Sequence, residues 1–124
     1  MLPKKQILEG KLVVRMDTRY SVDQLASVNF AKYVHDNSLS IRLVDFHTYE
    51  PIMVVTTNVG IKPPEDCIWI KNYSENEGIV RMLINLDLIY TNVYDSIKPG
   101  FVEICAYKMK NELLEEAHKF LEGK

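Results

Sequence analysis

The sequence predicts an α+β fold: a small, mainly antiparallel sheet with two or three helices, the last of them amphipathic and C-terminal. Three observations lead there. Leu39, Ile41 and Leu43 alternate with Ser40, Arg42 and Val44 at the period of a strand. The segment Met109–Leu121 repeats its apolar residues at the period of a helix. Between them the strand-like and helix-like runs do not alternate regularly, which disfavours a doubly wound parallel sheet.

Size and composition are consistent with one core. At 124 residues the chain suits a single domain, and dividing it would leave two pieces that each struggle to close a core. A hydrophobic fraction of 47% with 26% charged residues argues against disorder. The expected organisation is a flexible N-terminal segment over residues 1–11 followed by one α+β domain over residues 12–124.

Taken in order, Leu12–Met16 reads as a short strand. The next stretch supports two readings. Ser21 followed by Gln24 suits a capping box for a helix to about Tyr33, whereas Val28, Phe30, Tyr33 and Val34 favour a strand. His35-Asp36-Asn37 is a turn. The alternating run from Leu39 and the run from Ile52 to Val59 form an expected antiparallel hairpin, with Pro51 at a strand entrance. Cys67–Ile70 is a short buried strand. A helix is expected after Ser74, with Glu77 completing a capping box and Gly78 inside the helix at a cost of about 1 kcal/mol relative to Ala. Leu88-Ile89-Tyr90 and Phe101–Tyr107 read as strands, with Asn92, Asp95 and Pro99-Gly100 in the connection. On the final helix Met109, Leu113, Leu114, Ala117, Phe120 and Leu121 form the apolar stripe.

Charge and motif content exclude more functions than they suggest. A net charge of −2 is a poor footprint for nucleic-acid binding. Lys4, Lys5 and Lys11 form a small basic cluster, interrupted by Glu9. The opening residues lack the apolar stretch of a signal peptide, and no apolar run reaches the roughly 20 residues of a membrane span. A cytoplasmic location is therefore the expectation, without membrane association. Cys67 and Cys105 lie in apolar runs without a Cys-x-x-Cys context, so both read as core thiols.

His35, His47 and His118 have no metal-ligand spacing, no Gly-x-Ser-x-Gly elbow occurs, and the glycines form no phosphate loop. No catalytic residue, metal ligand or cofactor is assigned. Asp45, Glu50, Glu75 and Glu77 are carboxylates without an evident acid–base role.

The distinctive polar stretch is Lys71-Asn72-Tyr73-Ser74-Glu75-Asn76-Glu77-Gly78, which leaves a strand and enters a helix. Ser74 and Glu77 have capping roles there. Asn72, Tyr73, Glu75 and Asn76 are the candidate binding residues, and the bland alternative is a capped helix start. Seven tyrosines and one tryptophan supply material for a protein-contact patch.

The runs Ile41-Arg42-Leu43-Val44-Asp45, Glu50-Pro51, Thr56-Thr57-Asn58-Val59 and Ile70-Lys71-Asn72-Tyr73-Ser74-Glu75-Asn76-Glu77-Gly78 resemble a family of small uncharacterised bacterial proteins. Members are often encoded on plasmids, phages and integrative elements. The resemblance covers residues 38–89, and no established reaction comes with it. It implies a protein partner, with a host defence nuclease or its assembly as one target class. The leading expectation is thus a non-enzymatic protein-interaction domain. The alternatives are a nucleic-acid-binding accessory protein and a small enzyme of unassigned reaction. A monomer is expected over a homodimer, because the terminal stripe suits packing on its own sheet.

Overall fold

A computed structural model describes residues 4–17, 22–72 and 78–123. Its chain order is β1 (Lys5–Leu8), β2 (Lys11–Met16), β3 (Gln24–Lys32), β4 (Leu39–Asp45), β5 (Pro51–Val54), β6 (Cys67–Ile70), α1 (Ile79–Asn85), β7 (Ile89–Ile97), β8 (Ile104–Met109) and α2 (Asn111–Glu122). The protein is a small α+β fold with two mainly antiparallel sheets and two helices among the described residues, one of them near the C-terminus.

The larger sheet is a meander in the order β1-β2-β3-β4-β5. The smaller has the order β6-β8-β7. A seam joins them. Thr56 bridges Ile70, the Thr57 amide donates to the Trp69 carbonyl at 3.1 Å, and the Lys71 amide donates to the Val55 carbonyl at 2.9 Å. On its other side the Val55 amide donates to the Ile41 carbonyl at 2.8 Å. Residues 55–57 therefore lie between β4 and β6 and carry the pairing across.

Alternation along the strands puts Leu12, Val14, Met16, Ala26, Val28, Phe30, Ile41 and Leu43 into one core. Ile79, Val80 and Leu83 of α1 and Leu113 and Ala117 of α2 close it. Burying a side chain such as Leu113 contributes about 2 kcal/mol. The helix stripe read from the sequence does this work: α2 lies against β2 and β3, and Phe120 meets Phe30 edge-on at 5.7 Å.

Three sequence expectations change and one open reading resolves. Residues 5–8, expected within a flexible terminus, form β1, with Leu8 opposite Lys11. Glu9 and Gly10 both have positive φ (52° and 76°), which is what a two-residue turn between twisted strands requires. The undecided stretch is a strand. As β3 it pairs with β2 and β4 and buries Ala26, Val28 and Phe30 on the core face, a gain that a lone helix there would lack. The helix expected from Ser74 begins at Ile79, with Gly78 as its N-cap at φ 92° rather than inside it. Finally, β7 runs for nine residues through the expected connection and includes Asn92 and Asp95, while β8 begins only at Ile104.

Candidate functional site

Of the four residues singled out in the polar stretch, Asn72 is described and Tyr73, Glu75 and Asn76 lie outside the described residues, as do Ser74 and Glu77. Asn72 follows β6, and its Oδ1 accepts a hydrogen bond from the Val80 amide at 3.3 Å. That amide is one of the donors the first turn of α1 cannot satisfy within the helix. Asn72 thus has a capping contact, made from outside the helix.

Two of the carboxylates have structural partners. Asp45 Oδ1 accepts the His47 and Thr48 amides at 2.8 and 2.9 Å, and its Oδ2 accepts from Gln24 Nε2 at 2.8 Å. These donors, Gln24 first, hold its carboxyl down at a pKa of about 2. Asp36 Oδ1 accepts the Ser38 hydroxyl and amide at 2.6 and 3.0 Å, which lowers its pKa too. No group of three or more His, Cys, Asp or Glu residues is placed to hold a metal ion among the described residues.

The two cysteines sit on β6 and β8, where Cys67 faces Lys108 and Ile70 faces Cys105. Side chains alternate along a strand, so Cys67 belongs to the face with Trp69 and Ala106, and Cys105 to the face with Ile68, Ile70 and Tyr107. They cannot bridge each other within one chain. Burial pushes both thiols up, which keeps them protonated.

On the Cys67 face, Trp69, Ile104 and Ala106 make a second, smaller core with Val59, Ile97 and Val102 against it. Trp69 Nε1 donates to the Ile61 carbonyl at 2.8 Å and so fastens the 58–66 loop over that face. A void of about 10 Å³ lies in the main core between Val14, Leu43, Val55, Ile68 and Leu113. It is apolar and no larger than one water, so it is a packing defect rather than a ligand site.

What the fold leaves open is an edge. The described sheets end at β1 and β7, and the two ends are built differently. At β1 the strand has four residues, begins with Lys5 and is tied to α2 by the ion pair of Lys5 with Glu112. Short length and lysine are the ordinary means of keeping an edge from pairing with another chain. β7 has nine residues, every one from Tyr90 to Ser96 is exposed, and Asp95 is its one charged side chain. Its exposed residues include Tyr90 (46%), Val93 (50%) and Tyr94 (61%).

The pairing of β7 with β8 shifts register twice, between Ile89 and Val93 and between Val93 and Asp95, so Tyr94 has no opposite residue. Bulges of this kind bend a strand and re-aim its side chains. The start of β7 is anchored: Lys110 pairs with Asp87, whose pKa it lowers, and places its Nζ 5.1 Å from the centre of the Tyr90 ring. The hairpin tip that follows β7 carries Phe101 fully exposed.

Sequence reasoning missed this edge because Asn92, Asp95 and Pro99-Gly100 read as one long connection. The available signal was the density of β-branched and aromatic residues in Ile89-Tyr90-Thr91 and Val93-Tyr94.

Comparisons of the chain with family models, curated proteins and solved structures gave no match.

Proposed function

We propose that this chain is a non-enzymatic protein-interaction domain that takes an extended segment of a partner along the outer edge of β7. The supporting observation is the nine-residue edge strand with Tyr90, Val93 and Tyr94 exposed on it. An edge strand offers a row of backbone donors and acceptors, and side chains beside it give selectivity. Tyrosine adds a large, stiff contact area with a polar tip, as anchors of protein contacts do.

The nucleic-acid alternative gains no support from the basic cluster. Lys5 is paired with Glu112, and Lys11 lies over the Tyr49 ring with its Nζ 5.6 Å from the centroid. The family resemblance makes a host defence nuclease the first class of partner to test. The experiment is titration of a captured partner with the native protein and with Val93→Lys and Tyr94→Ala. At least a 10-fold weakening by either variant, with thermal unfolding unchanged, is the expected result. Equal affinity for all three removes β7 from the contact.

A further inference from the structure

We infer that the outer face of the larger sheet is a second contact surface, one that takes an acidic segment of a protein partner and receives a carboxylate at Arg42 and Asn29. It lies on the other sheet from β7 and does not rest on the β7 reading.

Strand register defines this face. Residues paired across antiparallel strands share a side, and side chains alternate along each strand. Val13 pairs with Gln6 and with Ser27, and Ser27 pairs with Val44. Lys11, Arg15, Asn29 and Arg42 fall on that same side. Asn29 and Arg42 are directly opposite each other, in a β3–β4 ladder that runs unbroken from Ala26–Asp45 to Lys32–Leu39. Lys4 joins them just ahead of β1, where its carbonyl accepts the Arg15 amide at 2.8 Å. Both helices and the main core occupy the reverse side, among Val14, Ala26, Val28, Phe30, Ile41 and Leu43. Val13 and Val44 are buried yet belong to neither core, so the stems of the longer side chains around them provide their cover.

The charge on this face has one sign. Its positions from Lys4 to the end of β5 hold Lys4, Lys11, Arg15 and Arg42, and no Asp or Glu. In a chain of net charge −2 that is a local excess. Arg15 donates to Asp23 at 2.7 Å, and Lys11 lies over the Tyr49 ring. Arg42 is exposed and makes no ion pair among the described residues. Beside it, the Ser27 hydroxyl lies 3.4 Å from Asn29 Oδ1 and 3.3 Å from the Val44 carbonyl. With Oδ1 on that side, the Nδ2 hydrogens of Asn29 turn away from Ser27. A planar guanidinium fork with amide donors next to it matches the two oxygens of a carboxylate. Spaced cations set among Val13, Leu25 and Val54 suit an acidic, partly apolar protein segment. A nucleic acid would call for a denser row to meet successive phosphates.

The probe is a fluorescein-labelled Glu-Ala repeat of about 12 residues, long enough to cross a five-stranded sheet. Its anisotropy should titrate saturably at about 50 mM salt and weaken at about 200 mM, and a Lys-Ala repeat should not bind. Arg42→Gln should weaken binding about 10-fold or more, and Arg42→Lys, which keeps the charge without the fork, should recover part of the loss. Asn29→Asp supplies a carboxylate from within the chain and should compete with the peptide, with the unfolding temperature unchanged or raised. No saturable binding at the lower salt overturns the proposal, as do equal affinities for native protein, Arg42→Gln and Asn29→Asp. Single-stranded DNA of equal charge is the second ligand. If it binds more tightly than the peptide and Arg42→Gln abolishes that, the face takes phosphates and the acidic-protein assignment fails. Tyr94→Ala keeps the two surfaces apart. Peptide affinity unchanged by it supports the outer face, whereas loss to Tyr94→Ala but not to Arg42→Gln moves the contact to β7 and overturns the proposal.

Discussion

Asn72 and Val80 are eight residues apart, and the bond between them, Asn72 Oδ1 to the Val80 amide at 3.3 Å, ties the end of β6 to the first turn of α1. It gives Asn72 a structural task among the residues read as a binding site. Asn72→Ala should lower stability by about 0.5–1 kcal/mol, the range of an exposed capping bond. Asn72→Asp keeps an acceptor at the same place and should recover most of the loss. Thermal unfolding of the two variants checks this. A neutral Asn72→Ala would remove the capping role.

Gly78 gives a prediction whose sign separates the sequence expectation from the structure. Inside a helix, replacement by Ala would stabilise by about 1 kcal/mol. At the observed φ of 92° an L side chain is strained, although nothing lies within 4 Å of where the Cβ would be. Gly78→Ala should therefore destabilise by about 1–2 kcal/mol through the backbone alone. Denaturant unfolding of this single variant measures it.

Acid should reach the fold through Asp45. Its folded pKa, held near 2 by Gln24 and the Thr48 and His47 amides, lies below the ordinary aspartate value of 3.8. A depressed carboxylate contributes stability that is present above the unfolded pKa and lost as pH falls through the folded one. The window is thus from about pH 4 down to about pH 2. Across it, the stability of Asp45→Asn should fall less steeply than that of the native protein. Parallel slopes would mean that Asp45 is not among the groups that respond.

The cysteines should be unreactive in the folded protein and should not pair with each other. Cys67 and Cys105 occupy opposite faces of the small sheet, and burial raises both thiols. A thiol reagent near pH 8 should label the native protein at least 10-fold more slowly than the unfolded chain, and two thiols should titrate after unfolding. An intramolecular disulfide found under mild oxidation would contradict the strand register.

Trp69 offers a local probe. Its Nε1 bond to the Ile61 carbonyl at 2.8 Å fastens the 58–66 loop over the smaller core. Trp69→Phe keeps an aromatic ring but leaves that carbonyl without its indole donor. A loss of about 1–2 kcal/mol is expected from the bond and the missing ring volume. Faster amide exchange confined to the loop and β6 would show that the bond holds this region in particular.

Much of the molecule was legible from local pattern. The alternation from Leu39 to Leu43 gave the core face of β4, and Cys67–Ile70 proved to be the buried strand β6. The stripe from Met109 to Leu121 became α2, which starts two residues later at Asn111, Met109 ending β8, and stops one residue later at Glu122. Boundaries moved where pairing partners decided them. β5 stops at Val54, and residues 55–57 pass into the seam between sheets, although the apolar run continues to Val59. The candidate site was legible only in part. Asn72 was placed correctly between a strand and a helix, but its bond to Val80 spans residues that no spacing rule connects.

The sequence by itself determined the α+β class, the β4–β5 hairpin, the C-terminal helix and the apolar character of both cysteines, because each depends on residues within a few positions of one another. Tertiary structure alone decided that residues 24–32 are a strand, since their helical and extended propensities are balanced until β2 and β4 lie on either side. It also decided that residues 5–8 extend the sheet and that Cys67 and Cys105 face apart. The edge at β7 belongs to the same group. Whether a strand is interior or terminal is a property of its neighbours, so Tyr90, Val93 and Tyr94 became surface residues only when β8 took one side of the strand and no described element took the other.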